Sequence, residues 1–183
     1  MPVTELTFER IALEDPEGHW ELHHGEMRAK PAMSFRHNDV MTYLGHQLIR
    51  QLDPALYRVR INAGHVRRAD VTYYIPDVFI IPVAVLGPER DRPDVLETYD
   101  RPLPLVVEIW SPSAGGYDVD AKIPEYQRRG DLEIWLLHPF ERTLTTWRRQ
   151  PDGAYAELTI PAGGTVELAA IPGVSVDFAA LLD

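Results

Sequence analysis

The sequence predicts one mixed α/β (α+β) domain: a central sheet flanked by helices, with β-hairpins added to it. Three stretches carry that expectation. Residues 102–139 read strand, helix, strand, with apolar runs at 105–109 and 132–138 on either side of an amphipathic segment at 118–130. Residues 35–52 repeat apolar side chains at helical spacing. Residues 143–148 and 154–160 flank Gln150-Pro151-Asp152-Gly153, a hairpin turn signal.

The elements follow in order. Residues 7–13 suit a short helical turn, and Asp15-Pro16-Glu17-Gly18 a chain reversal. Residues 19–30 form two short strands joined around His24-Gly25. Pro31 ends them. Ser34 is an N-cap for the helix at 35–52, whose buried face is expected to hold Val40, Tyr43, Leu44, Leu48, Ile49 and Leu52, with Gly45 permitting close packing. The alternation at 57–61 predicts a half-buried strand, and Asn62-Ala63-Gly64 a turn into a partner strand at 65–68. Residues 76–82 are apolar, too short for a helix and bounded by prolines, hence a buried strand. Residues 86–104, with four prolines, read as a surface connection. Gly163-Gly164 sets off another short strand, and residues 171–177 lead into a C-terminal helix at 178–182.

At 183 residues the chain suits a single domain over 1–183 with a substantial core. It has no cysteine, which excludes disulfides and thiolate metal sites and points to a reducing cytoplasm. No apolar run approaches the ~20 residues that span a bilayer, and the first residues lack the basic and apolar regions of a signal peptide. The net charge of −10 argues against a domain that coats nucleic acid by neutralising phosphates. A nuclease is compatible with it, because carboxylates gathered at a metal site lower net charge and the bound cation reverses the local sign. Arg58, Arg60, Arg67, Arg68 and Arg128-Arg129 form local basic clusters.

Three charged residues stand out. Asp77 closes an earlier strand region, Glu108 lies inside another buried strand, and Lys122 sits on the helix that follows. They either converge at one sheet edge or serve singly as solvated charges, caps or a salt bridge. Asp118 and Asp120 read as N-terminal acids that complement a helix dipole. Tyr126 shares the Lys122 face, and Trp110 and Trp135 read as core aromatics. His37 is read as structural. Alternation sends His23 and His24 to opposite faces, which argues against a zinc cluster. Gly115-Gly116 lacks the following Gly-Lys-Ser/Thr of a phosphate loop.

Several ordered motifs resemble the Uma2 family, a bacterial group described as restriction endonuclease-like domains. They are Glu21-Leu-x-x-Gly-Glu26, a helix opening with His37, Pro76-Asp77, Leu105-Val-Val-Glu108-Ile-Trp-Ser-Pro-Ser113, Asp118-x-x-x-Lys122-x-x-x-Tyr126-x-x-x-Gly130 and Glu133-Ile-Trp135. The resemblance implies a restriction endonuclease-like fold of the PD-(D/E)xK nuclease superfamily. It implies that Asp77 and Glu108 are metal-binding carboxylates. The usual lysine two residues after the second acid is Trp110 here, and Lys122 from the following helix stands in for it. The expected activity is Mg²⁺- or Mn²⁺-dependent endonuclease cleavage of DNA phosphodiesters. Asp77, Glu108 and the Ile109 carbonyl would hold the ion, Lys122 would orient the water, and Glu26 or Glu21 would add an acid. The alternative is a non-catalytic interaction protein that keeps the nuclease scaffold. Edge strands and the first hairpin offer surfaces for a homodimer in either case.

Overall fold

The computed structural model describes residues 2–68, 71–114 and 116–183. Gly115, half of the Gly-Gly connection, lies outside the described residues. Thr4 opens α1 (Glu5–Glu14), its hydroxyl accepting the Thr7 N–H. After a 3₁₀ turn at Pro16–Gly18 come β1 (Trp20–His23) and β2 (Glu26–Ala29). His24 and Gly25 between them hold φ of 49° and 83°, the positive values that a tight primed hairpin turn requires. Ser34 then caps α2 (Phe35–Gln51) by accepting the His37 N–H. Replacing Ser34 with alanine is expected to cost ~1 kcal/mol in urea denaturation. An unchanged midpoint would show that the cap contributes nothing.

The strands continue as β3 (Tyr57–Ile61), β4 (His65–Arg68), β5 (Thr72–Tyr74), β6 (Val78–Pro82), β7 (Thr98–Tyr99) and β8 (Leu105–Ile109). A π-helical turn at Asp118–Lys122 runs into α3 (Ile123–Arg129). Then follow β9 (Glu133–His138), β10 (Thr143–Arg149), β11 (Tyr155–Pro161), β12 (Thr165–Glu167), β13 (Ser175–Asp177) and α4 (Phe178–Leu182).

The central sheet has the order β11-β10-β9-β8-β6-β3. All its pairs are antiparallel except β8 with β9, which α3 connects. A second sheet runs β2-β1-β5-β4-β7, and β12 pairs with β13. Alternation along the central strands divides the core in two. Val78, Ile80, Leu105, Val107, Ile109, Trp135 and Leu137 pack on Val40, Leu44 and Leu48 of α2 and Phe178 of α4. Phe79, Ile81, Val106 and Ile134 face the other way, against Ile123 and Tyr126 of α3 and Val66 and Tyr74 of the second sheet. Burying each of these large side chains contributes roughly 1.5–3 kcal/mol.

Three local expectations are corrected. The buried stripe of α2 is Val40, Met41, Leu44 and Leu48, while Tyr43 and Ile49 are 55% and 53% exposed because they lie past the flank of the sheet contact. Gly45 does sit close to the sheet, where a Cβ would stand 2.2 Å from Ile61 Cδ1. β4 does not return alongside β3. Positive φ at Asn62 and Gly64 redirects the chain into the second sheet, where β4 pairs with β5 and β7, and β3 pairs with β6. Finally, residues 86–104 are not wholly a surface connection, since Tyr99 and Leu103 enter the core. Arg129 fastens that segment, donating to the carbonyls of Tyr99 and Arg101 at 2.7 Å and to buried Asp131 at 3.0 Å.

Candidate active site

β6 and β8 run antiparallel with Val78 opposite Val107. One further step of that register sets Asp77 against Glu108, on the sheet face that α3 covers. β1 brings Glu21 from the second sheet, and its Oε1 accepts the Ile75 N–H at 2.9 Å. The π-helical turn supplies Asp118 and Lys122. Lys30, one residue past β2, enters from the hairpin side, and His37 from the first turn of α2.

These groups form one buried network. Lys122 Nζ stands 2.9 Å from Glu21 Oε1 and 3.4 Å from both Glu108 Oε1 and Asp118 Oδ1. Lys30 Nζ lies 2.8 Å from Asp77 Oδ1 and donates to the Ile75 carbonyl at 2.8 Å. The Ile109 N–H donates to Asp77 Oδ2 at 2.7 Å, and His37 Nε2 lies 3.0 Å from the same oxygen. Tyr126 donates its hydroxyl to Glu108 Oε1 at 2.5 Å. Glu21, Asp77 and Glu108 are each 1% exposed and Lys122 2%. Isolated charges so deeply buried would cost many kcal/mol, so they persist because they face one another.

Four carboxylates thus face two ammonium ions, and the network compensates the excess with protons. Burial pushes Glu108 up to about 8 against the pull of Lys122, with Asp118 and Asp77 adding to the rise. Asp118 is raised by burial too, again opposed by Lys122. Burial also acts to raise Asp77, but Lys30 and the His37 hydrogen bond outweigh it and hold this carboxyl well below the usual range. Lys122 is disfavoured as a cation by burial, yet Glu108, Glu21 and Asp118 keep it protonated well above the ordinary lysine value. At neutral pH Asp77 is therefore a carboxylate and Lys122 an ammonium, while Glu108, raised to about 8, lies near the balance between acid and carboxylate.

The structure brings Asp77, Glu108 and Lys122 into one network, in which Lys122 contacts Glu108 directly while Asp77 pairs with Lys30. Ile109 takes part through its N–H. Glu26 stays outside: it is exposed on β2, cross-strand from His23, and the hairpin acid that enters the cluster is Glu21. Asp118, expected to serve a helix dipole, is buried against Lys122 instead. His37, expected to be structural, touches Asp77. Lys30 carried no local signal, because its partner lies 47 residues further along. Of the two tryptophans read as core, Trp135 is buried, while Trp110 is half-buried and stacks on His138. The positive φ of His24 breaks strand alternation, so the His23 and His24 rings meet at 4.3 Å rather than diverging.

In kind, the donor set fits a hard divalent cation: the candidate ligands are all oxygens, and their negative charge exceeds that of the lysines. Among the described residues, His37 Nδ1 and Tyr117 Oη are buried at the site without hydrogen-bond partners. Buried polar atoms left in this way mark places for water or ligand. The lysines stand among the carboxylates, and among the described residues no three His, Cys, Asp or Glu side chains are grouped at metal-holding spacing.

A mixed central sheet whose one parallel pair is joined by a crossover helix, with a second sheet packed beside it, is a restriction endonuclease-like fold. The chain belongs to the Uma2 family, described as a putative restriction endonuclease, whose model matches residues 6–179. It is similar to a crystal structure of a putative nuclease belonging to DUF820 from Anabaena variabilis ATCC 29413, with a TM-score of 0.70 and 16% sequence identity, over 100% of this chain and 94% of that one. No match is found among curated proteins. Among the described residues no helix is long and apolar enough to cross a membrane.

Proposed function

We propose that this chain is a divalent-metal-dependent endonuclease acting on DNA, a cytoplasmic enzyme that uses Mg²⁺ or Mn²⁺. The observation that carries the reading is the buried excess of carboxylates at Asp77, Glu108, Glu21 and Asp118 over Lys30 and Lys122. Asp77 and Glu108, with the Ile109 carbonyl, are the expected ligands. An ion bound there would supply Lewis-acid stabilisation to the phosphoryl oxygens and the leaving alkoxide. Lys122, held as an ammonium, would orient the attacking water and donate to developing negative charge, and the water's proton would pass to Asp118 or Glu21, the carboxylates paired with Lys122. Tyr126 fixes the Glu108 carboxyl, and His37 with the Ile109 N–H fixes that of Asp77.

The depth of the cluster favours a second reading, a non-catalytic scaffold in which the same ion pairs are structural. Incubation of the protein with supercoiled, linear duplex and single-stranded DNA separates the two. Cleavage that needs Mg²⁺ or Mn²⁺, and falls at least ~10²-fold in folded Asp77→Asn, is expected from the enzyme. Absence of cleavage under all metals, or cleavage indifferent to that substitution, overturns it. Self-pairing through the β3 or β11 edge would suit a homodimer in either case.

A further inference from the structure

The ladder between β8 and β9 continues one residue past the strand, with the Trp110 N–H donating to the Leu137 carbonyl at 2.8 Å. Trp110 is two residues from Glu108, so it projects on the same sheet face, ~6–7 Å further along. It occupies the place where the related nucleases are expected to carry lysine, and it is neither charged nor sealed in the core. Its ring stacks on His138 at 4.1 Å with an interplanar angle of 20°, and Phe140 meets it edge-on at 6.1 Å. Phe140 is 57% exposed. The Glu141 N–H donates to His138 Nδ1 at 3.0 Å and fixes the middle ring.

The surroundings extend this rim. Arg36 and Arg142 both donate to the Leu182 carbonyl, which draws the first turn of α2 towards the β9–β10 turn. Phe35, next to Arg36, is 84% exposed. The same helical turn carries His37 to Asp77. Solvent-facing aromatic rings beside arginines at the edge of an acid cluster are costly as surface and well suited to stacking the flat face of an unpaired base.

Resting on the nuclease reading above, we infer that Trp110 and Phe140, backed by His138, form a base-stacking platform that holds an unpaired nucleotide of a single-stranded nucleic acid beside the acid cluster. Paired bases inside a duplex present only their edges, so the platform selects single strands, overhangs or frayed ends.

The test is binding to short single-stranded DNA, single-stranded RNA and duplex DNA, in Ca²⁺ or EDTA so that turnover does not intervene, followed by tryptophan fluorescence and anisotropy. Single strands are expected to quench emission and to bind at least ~10-fold more tightly than duplex. Phe140→Ala and Trp110→Ala should each weaken single-strand binding by about tenfold, with Trp110→Phe restoring most of it. Phe140 lies on an exposed turn, so its variant reports even if Trp110→Ala disturbs the sheet end. The DNA and RNA arms identify which strand is preferred. Equal binding of duplex, no binding of any single strand, or variants that bind as wild type overturn the platform. So does sedimentation showing that Phe140→Asp splits a dimer while nucleic-acid affinity is unchanged. Loss of metal-dependent cleavage with stacking intact refutes the nuclease reading alone, and cleavage insensitive to both aromatic variants refutes the platform alone.

Discussion

Asp77→Ala is expected to destabilise the fold by about 3–5 kcal/mol. The carboxylate receives Lys30, His37 and the Ile109 N–H, all in a site with 1% exposure. Truncation leaves an ammonium and a backbone donor buried without their partner, and an unmade buried hydrogen bond costs more than a made one contributes. Asp77→Ala combined with Lys30→Met should regain much of the loss, because the orphaned charge is then gone; a double-mutant cycle in urea reads the coupling. Additive losses would mean that Lys30 and Asp77 do not depend on each other. The sign with pH follows from the depressed carboxyl. Its contribution is full above the unfolded value near ~4 and is lost as pH falls towards the folded value.

Lys122→Met should lower metal-dependent cleavage by ~10²–10³-fold without weakening Mn²⁺ binding. Glu21, Glu108 and Asp118 hold Lys122 protonated, so what the substitution removes is a fixed positive donor at the place where negative charge develops. The same change deletes a cation that competes with metal for those carboxylates. Single-turnover rates and Mn²⁺ titration, on protein whose circular dichroism matches wild type, separate the effects. A rate within about tenfold of wild type, or a parallel collapse of metal affinity, would reassign Lys122 to organising the acids.

Much of the scaffold was legible because its signals are local. The hairpin turn at Pro151-Asp152-Gly153, the Ser34 cap and the apolar runs of β6, β8 and β9 each declare themselves within a few residues. The acid pair was different. Asp77 and Glu108 are separated by a long connection; their places in two buried strands made them stand out, and only the ordered motifs of the family gave them a shared role. The pairing of β6 with β8 then explains why they meet. What stayed hidden is tertiary. Lys30 looks like an ordinary solvated lysine after a hairpin, and only the approach of the second sheet buries it on Asp77. Glu26 and Glu21 are equally plausible acids by composition. The turn geometry at His24-Gly25 leaves one exposed, while the β1–β5 pairing takes the other inward. Trp110 shows the converse, an aromatic whose place in the sequence suggests core but whose strand ends at the surface.

On the nuclease reading the acid cluster binds a divalent cation in exchange for a proton. Calorimetric titration of Mn²⁺ at pH 7, in two buffers of different ionisation enthalpy, tests it directly. The expected result is one saturable site that releases about one proton and tightens as pH rises towards about 8, because the Glu108 proton must leave first. Asp77→Asn should abolish the site, and Glu108→Gln should remove the proton release. No saturable binding by wild type, even with a non-cleavable oligonucleotide present, or binding unchanged in both variants, would contradict the account and leave the cluster a structural ion-pair network.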